Sequence, residues 1–357
     1  MRIKNGRSTI KEVASAARVS TQTVSRVINE RPDVAPETRQ RVKEVIEQMG
    51  YQPSALARSL IGRRSYTVGV VTAGLKYIGP SRTLSGITAA AEAAGYALLL
   101  KELPNFDAEP IKHIFQAFIS RHVDGIIWAV PEVSQNRKWV NKLSLDLEIP
   151  IVYLTMEPQE NISVVSINNY LGGRIAMAHL LDQGYRRIAH ISGPLDWWES
   201  RQRMAAWKDA LIQAGPGVPE QAWVEGNWSS ASGAVAAETL FQQYPEMDSI
   251  FVGNDQMALG VMHVAYQKNL KIPQDLGVIG FDNIPESANF WSPLTTVQQD
   301  QYNLGKIALE ETIKIIEAGW QEQEPVEPRS ILLTPTLVVR QSSYRKIATA
   351  ASHSNLG

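Results

Sequence analysis

The 357-residue sequence contains no cysteine, which excludes a disulfide framework, a thiol nucleophile and a thiolate metal site. It has no apolar run of about 18 residues and no apolar signal core, so we expect a cytoplasmic protein outside the membrane. Neither a GxxxxGK[ST] phosphate loop nor a GxSxG nucleophile elbow occurs, and the six histidines lack metal-ligand spacing. We therefore expect no enzyme activity, no metal and no cofactor.

Charge is unevenly distributed along the chain. Residues 1–64 contain 13 Lys and Arg against 6 Asp and Glu, a net charge of +7. The whole chain carries −1, which leaves −8 on residues 65–357. A basic segment is attracted to DNA phosphates and releases counterions there, whereas an acidic segment is repelled by the duplex. This distribution predicts that the N-terminal part binds DNA.

Three short helices are predicted within residues 1–50. Thr9 and Glu12 have the spacing of a capping box at the start of the first helix. Ser20 is placed to cap the second helix, and the third, over residues 36–49, begins with a favourable proline. The second helix carries apolar residues at i, i+3 and i+4 on one face. These residues are Val24, Val27 and Ile28.

The opposite face of the second helix is polar and carries Thr21, Gln22, Ser25 and Arg26. In a helix-turn-helix the N-terminal residues of the second helix reach base edges in the major groove. Gln matches the hydrogen-bonding edge of adenine and Arg that of guanine. The pattern predicts a DNA-binding headpiece over residues 1–50. The alternative is a small helical cap with a solvated polar face.

Beyond residue 65, short apolar segments alternate with amphipathic ones. Strands that alternate with helices form βαβ units and a parallel sheet, and about 290 residues suit two such sheets. Strands are predicted over residues 66–73, 96–103, 123–130, 150–155, 187–193, 222–226, 249–253 and 276–281. Predicted helices include residues 83–94, 171–183, 199–213 and 256–269.

The N-terminal motifs resemble those of the lactose-repressor (LacI) family. The matching segments are Thr-Ile-Lys-Glu-Val-Ala at residues 9–14, Thr-Val-Ser-Arg-Val-Ile-Asn at 23–29 and Gly-Tyr-Gln-Pro at 50–53. The resemblance extends nearly to the end of the chain. It implies an all-α helix-turn-helix headpiece and a bilobed, periplasmic-binding-protein-like α/β domain with two doubly wound parallel-sheet subdomains. It also implies a transcription repressor that binds double-stranded operator DNA.

The same resemblance assigns DNA contacts to individual residues. Thr21, Gln22 and Arg26 would read bases, and other residues would lie at or near the DNA backbone. The latter are Thr9, Ser20, Thr23, Ser25, Asn29 and Tyr51. Residues 51–64 would form a hinge, in which Ala57 allows close helix approach and Leu60 wedges between base steps in the minor groove. A flexible basic linker is the alternative for this segment.

The resemblance also implies an effector-binding and dimerisation domain over residues 65–342. Its first lobe would comprise about residues 65–167 and 298–329, and its second about residues 168–297 and 330–342. The segment 296–300 and the apolar run 331–339 would be the returning strands. The polar tail, residues 343–357, lacks the leucine heptads of a tetramerising coiled coil. We therefore expect a homodimer.

Polar and aromatic residues follow several predicted strands, at the edge where open α/β sheets bind ligands. A guanidinium, an amide and a carboxylate suit the hydroxyl groups of a sugar, and an aromatic ring suits its C–H face. The resemblance implies that such residues bind an effector. The predicted effector-binding residues are Tyr77, Pro80, Trp197, Arg203, Trp228, Asn254 and Asp282.

Four of these residues also have simpler structural interpretations. Arg203 could pair with Glu199 on a helix surface, and Asn254 could be only a helix N-cap. Asp282 could cap a turn, and Trp228 could belong to the core.

The predicted function is repression of sugar-catabolic genes, with release from the operator by a small sugar or sugar derivative. Thr155 replaces an acidic residue of lactose-type members, and Trp197 and Trp198 replace smaller ones, so a β-galactoside is not implied. A sugar phosphate stays open, although no Lys and Arg cluster demands one. An effector that instead promotes DNA binding also stays open. The alternative class is a sugar-binding module or sugar enzyme with a vestigial head.

Overall fold

The computed structural model describes residues 8–28, 31–51, 64–104, 106, 111–133, 149–215, 217–321 and 324–345. The chain divides into a first unit, Met1–Ser65, and a second unit, Tyr66–Gly357. The predictions for Asn29, Ala57 and Leu60, and for most of the hinge and tail, fall outside the described residues. No helix of the described segments is long and apolar enough to cross a membrane.

The described part of the first unit contains the three predicted helices: α1 (Ile10–Ala16), α2 (Thr21–Ile28) and α3 (Pro36–Gln48). The capping box is present, because the Thr9 hydroxyl accepts from the Glu12 N–H at 3.3 Å. The Glu12 carboxylate in turn accepts from the Thr9 N–H at 2.7 Å. At α2, the Ser20 hydroxyl accepts from the Thr23 N–H at 3.0 Å. Local capping thus fixes where α1 and α2 begin.

A small apolar core joins the three helices. Val13 of α1, Val24 of α2 and Val42 of α3 are fully buried in it. The Arg41 guanidinium of α3 donates to the Ala17 carbonyl at the end of α1, at 3.1 Å. Because the apolar stripe of α2 faces this core, the polar face of α2 points to solvent.

The described residues of the second unit form two six-stranded sheets. The strands are β1 (Thr67–Ala73), β2 (Ala97–Leu103), β3 (Gly125–Ala129), β4 (Ile151–Leu154), β5 (Ser163–Ile167), β6 (Ile188–Ser192), β7 (Trp223–Glu225), β8 (Ser249–Val252), β9 (Gly277–Asp282), β10 (Thr295–Gln298), β11 (Ser330–Leu333) and β12 (Thr336–Val338). The helices are α4 (Ile78–Ala94), α5 (Ile111–Ile119), α6 (Asn169–Asp182), α7 (Trp198–Ala214), α8 (Ser230–Gln243), α9 (Asp255–Gln267) and α10 (Gln301–Trp320). Within the described part of this unit, short 3₁₀ helices lie at Glu220–Ala222, Pro285–Asn289 and Gln341–Ser343.

Each sheet is the centre of one lobe. The first lobe has the all-parallel order β11-β5-β4-β3-β1-β2, with α4, α5 and α10 on its faces. The second lobe has the order β12-β10-β9-β8-β6-β7, with α6 to α9. All its described pairings are parallel except that between β12 and β10. The predicted fold of two doubly wound subdomains is confirmed.

The structure corrects the predicted lobe boundaries at the returning strands. The run 331–339 does not lie wholly in the second lobe, because β11 pairs with β5 in the first lobe and only β12 joins the second. The predicted boundary between residues 297 and 298 falls inside β10, which pairs with β9 and lies wholly in the second lobe. Pro335 separates β11 from β12 because proline lacks the N–H that a continuous strand needs. Strand β5 is absent from the predicted strands.

Glycines allow α4 and α10 of the first lobe to cross closely. A Cβ atom at Gly86 would overlap the Tyr302 carbonyl oxygen, and one at Gly305 would overlap the Thr83 carbonyl oxygen. Both obstacles are backbone atoms, so alanine could be accommodated only by moving a helix. This crossing holds the beginning of α10 beside that of α4.

Candidate nucleic-acid interface and ligand cleft

The polar face of α2 is the candidate nucleic-acid interface. Thr21, Gln22 and Arg26 are exposed on it, whereas Thr23 and Ser25 are half-buried. Ser20 and Thr9 are exposed at the beginnings of their helices, with hydroxyls engaged in capping. The structure therefore exposes the three predicted base-reading residues on one helix.

Arg26 forms an ion pair that the sequence pattern does not predict. Its Nη1 atom lies 3.2 Å from Asp33 Oδ2, and the two side chains are 53% and 55% exposed. Asp33 lies in the turn between α2 and α3. No local spacing rule applies, because the partners are seven residues apart across a helix end.

Tyr51 differs from its predicted role as a DNA contact. Its side chain is only 9% exposed and packs in the core of the three helices. The Tyr51 N–H donates to the Ile46 carbonyl at 3.0 Å, at the end of α3. Burial leaves this ring little surface for DNA, so packing accounts for its position.

A cleft opens between the two lobes of the second unit. All seven predicted effector-binding residues line it: Tyr77, Pro80, Trp197, Arg203, Trp228, Asn254 and Asp282. The apolar part of the lining that comes from the first lobe includes Leu154, Ile167 and Leu304. The predicted residues, which span more than half of the sequence, are thus brought together at one site.

The carboxyl ends of parallel strands place these side chains. Tyr77 is the N-cap residue of α4 after β1, and Trp197 is that of α7 after β6. Asn254 caps α9 directly after β8, and Asp282 ends β9. All these strand ends face the cleft, as expected for ligand sites of open α/β sheets.

Arg203 is buried in the cleft wall rather than paired on a helix surface. Its side chain is 5% exposed, and its Nε donates to Asn169 Oδ1 at 2.9 Å. Nη1 donates to the Gly253 carbonyl, and the guanidinium carbon lies 3.8 Å from the Phe281 ring centroid. Burial lowers the pKa of Arg203, while Asp282, Glu199 and Asp255 oppose that shift.

Asn254 is a helix N-cap, as one sequence interpretation predicts, and it also lines the cleft. Its Oδ1 accepts from the Met257 N–H at 2.8 Å, which caps α9. Its Nδ2 donates to the Trp228 carbonyl at 3.0 Å, which ties the aromatic loop to the cleft.

Asp282 accepts a hydrogen bond from the Gln299 amide, and burial raises the pKa of the Asp282 carboxyl.

Three aromatic rings extend from one lobe to the other. The Trp197 ring centroid lies 4.7 Å from that of Phe106, in the first lobe, and 5.6 Å from that of Trp228. Trp228 has a left-handed φ of 72° and is half-buried against the second-lobe core. A Cβ atom at Gly193 would overlap its ring. Trp228 therefore both packs on the core and lines the cleft.

Several polar lining residues are absent from the predicted site. Glu199 is predicted only as a surface partner of Arg203, yet it is 8% exposed and lines the cleft. Burial raises the pKa of Glu199 to about 7. Gln299 and Gln301 also line the cleft, beyond the carboxyl end of β10. Their position at the carboxyl end of the predicted strand 296–300 is the signal that could have located them.

The charges at the cleft limit its chemistry. Among the described lining residues, Arg203 is the basic one, and Glu199 and Asp282 are the acidic ones. A phosphate site would place several donors and cations around one anion. Amides, carboxyls and aromatic rings instead match a ligand that carries hydroxyl groups.

A helix-turn-helix unit followed by a bilobed α/β unit with an interlobe cleft defines a class of DNA-binding transcription regulators. Residues 9–54 match the family model "Bacterial regulatory proteins, lacI family", and residues 177–343 match "Periplasmic binding protein-like domain". Catabolite control protein A from Priestia megaterium is 34% identical, over 94% of this chain and 99% of that relative. The ribose operon repressor from Escherichia coli K12 is 32% identical, over 94% and 100%.

A solved structure agrees with this assignment. The lac repressor dimer bound to operator and the anti-inducer ONPF matches with a TM-score of 0.82 and 29% identity. The match covers 95% of this chain and 100% of that one. The chain belongs to the lacI family of bacterial regulatory proteins. It is a DNA-binding transcription regulator, and both of these relatives are regulators, not enzymes.

Proposed function

We propose that this protein represses sugar-catabolic genes as a homodimer and that a small sugar-type effector in the cleft releases it from operator DNA. The observation that carries the proposal is the cleft, where Arg203, Asn254 and Asp282 lie beside the Trp197 and Trp228 rings. This set offers charged and amide hydrogen bonds together with aromatic faces. The names of the two relatives, which refer to catabolite control and a ribose operon, support the same proposal.

In this proposal the exposed face of α2 reads the operator. Thr21, Gln22 and Arg26 contact bases, and the exposed Ser20 and Thr9 lie near the DNA backbone. A dimer places two such helices on a near-palindromic operator. The lac repressor structure supports this part, because it is described as a dimer bound to operator.

The effector acts through the angle between the lobes. Both lobes contribute to the cleft wall, so a ligand that bonds to both favours one interlobe angle. Coupling between effector and operator is reciprocal: if the effector weakens operator binding, the operator weakens effector binding by the same factor.

The test is a thermal-shift screen of the full-length protein. The panel contains neutral mono- and disaccharides, their phosphate esters and purine bases. We expect a sugar or sugar derivative to raise the melting temperature and to weaken operator binding by roughly 5- to 150-fold. Stabilisation by a purine base alone, by no compound, or without any change in operator affinity would contradict the proposal.

Two variants and one control variant sharpen the test. Asp282→Asn should abolish the sugar-dependent shift, whereas Asp182→Asn, at a position on α6 away from the cleft, should retain it. Arg26→Ala should strongly weaken operator binding and leave the sugar-dependent shift intact. Unchanged operator binding by Arg26→Ala would instead favour a sugar-binding module with a vestigial head.

A further inference from the structure

Two nine-tenths buried side chains in the cleft carry polar atoms that have no hydrogen-bond partner among the described residues. They are Glu199 Oε2, with the residue 8% exposed, and Gln301 Oε1, with the residue 9% exposed. The indole N–H of the half-buried Trp228, which lines the same cleft, is a third buried polar atom without such a partner. Burying a polar group without a partner opposes folding, because the group loses its hydrogen bonds to water. Three such groups in one cleft indicate a shared hydrogen-bonding partner.

The two acceptors come from opposite lobes. Glu199 lies in the first turn of α7 in the second lobe, four residues before Arg203. Gln301 begins α10, which packs closely on α4 of the first lobe. A Cβ atom at Gly79 of α4 would lie 2.9 Å from Gln301 Nε2, so the amide is held against the start of α4. A ligand bonded to both acceptors therefore connects the lobes.

The chemistry of these groups selects the ligand. An ionised Glu199 only accepts hydrogen bonds, and the indole N–H of Trp228 only donates them. A hydroxyl group can satisfy both, since it donates and accepts. An ionised phosphate or carboxylate has no proton to donate to Glu199 and is repelled by its charge. The Arg203 guanidinium, which could attract an anion, already donates to Asn169 and to the Gly253 carbonyl.

We propose that Glu199 and Gln301 bind one neutral, hydroxyl-bearing ligand from opposite lobes, and that Glu199 excludes anionic ligands such as sugar phosphates and sugar acids. This inference rests on the proposed function, because it requires that the cleft bind a sugar-type effector. The proposed function allows a sugar phosphate as effector, whereas this inference excludes one.

The first experiment compares neutral sugars with their own phosphate esters. Glucose with glucose 6-phosphate and ribose with ribose 5-phosphate are titrated into the full-length protein by calorimetry, together with cellobiose and galactose. We expect a neutral sugar to bind and its ester to bind at least about tenfold more weakly. Tighter binding of an ester would overturn this inference and leave the proposed sugar function standing. Binding by no sugar or ester would overturn both.

The second experiment uses Glu199→Gln, which keeps the shape and removes the charge. We expect this variant to bind the neutral sugar about tenfold more weakly and to show a smaller preference for the neutral sugar over its phosphate ester. Gln301→Leu should weaken binding of the neutral sugar by a similar factor. The control is Glu311→Gln, a 3% exposed carboxylate of α10 that pairs with Arg329 and does not line the cleft. Thermal unfolding checks that each variant folds.

The pH dependence gives a readout that a purely structural role would not produce. Arg203 and Arg201 lie near Glu199 on its own helix, and Glu132 approaches from the first lobe. A hydroxyl that donates to the ionised carboxylate lowers the pKa of Glu199 below its free value of about 7. Sugar affinity should then rise more steeply from pH 6 to pH 8 in the wild type than in Glu199→Gln, in which the remaining pH dependence comes from Asp255 and Asp282. Equal pH profiles or equal affinities in the two proteins would overturn the inference.

Discussion

Replacing Asp33 by Asn should tighten operator binding, because Asp33 competes with DNA for Arg26. The two side chains lie 3.2 Å apart and are more than half exposed. An exposed ion pair of this kind contributes about 0.2–1 kcal/mol. Arg26 must give up this contribution when its guanidinium turns toward a base edge.

The expected gain in operator affinity depends on how many headpieces bind the DNA. A dimer of the variant that binds through two headpieces regains about 0.4–2 kcal/mol of binding free energy, which corresponds to roughly 2- to 30-fold tighter operator binding. Because both side chains are exposed, the gain should shrink as salt concentration rises.

The assay is fluorescence anisotropy with an operator selected from a random pool by the wild-type protein, measured at several salt concentrations. Glu47→Gln is the matched control, because it removes the same charge from an exposed position on α3. In an Arg26→Ala background, Asp33→Asn should change operator affinity no more than the control Glu47→Gln does.

Weaker operator binding by Asp33→Asn would refute this reasoning, since Asp33 would then orient Arg26 for the bases. A gain no larger than that of Glu47→Gln would show that only general repulsion from phosphates is relieved.

Three further predictions concern the second unit. Gly305→Ala should lower the free energy of unfolding by about 1–3 kcal/mol in urea, because its Cβ would overlap a backbone oxygen of α4. Gly319→Ala on the same helix, with open space around it, should raise that free energy by about 0.5–1 kcal/mol. Burial lowers the pKa of His190 from 6.5 to about 3, so its contribution to stability is complete above pH 6.5 and is lost as pH falls toward 3. His190→Gln should therefore reduce the loss of stability between pH 7 and pH 5 by about 2 kcal/mol, and an unchanged loss would contradict the assigned burial. Gly193→Ala should displace the Trp228 ring, alter its fluorescence and weaken sugar binding; an unaltered spectrum would be incompatible with the close packing of this ring on Gly193.

Much of the fold could be predicted because its signals are local. The capping box of Thr9 and Glu12 and the apolar spacing on α2 involve residues within one or two helical turns. The assignment of short strands to sheets is less predictable. Strand β5 is fully buried, so it lacks the alternation of buried and exposed residues that marks a half-buried strand. The run 331–339 gives no sign that it divides between two sheets. Strand pairing is decided by distant partners, so composition alone does not reveal it.

The candidate cleft could be predicted only in part for a similar reason. Asn254 and Asp282 follow strands directly, so the rule for strand ends locates them. The i, i+4 spacing of Glu199 to Arg203 instead suggests an exposed pair, which is wrong. Burial of both residues depends on how α7 packs on the second-lobe sheet and meets the first lobe.

The three N-terminal helices, the general alternation of strands with helices, the basic charge of the N-terminal unit and the exposed face of α2 were determined by the sequence alone, because near neighbours and simple charge decide them. Only the tertiary structure decided that Glu199 and Gln301, about a hundred residues apart, face one cleft with oxygens that have no partner among the described residues. It also decided that Arg26 meets Asp33. Burial and pairing depend on which distant segments meet in space, and the free energy of a polar group changes sign with its partners.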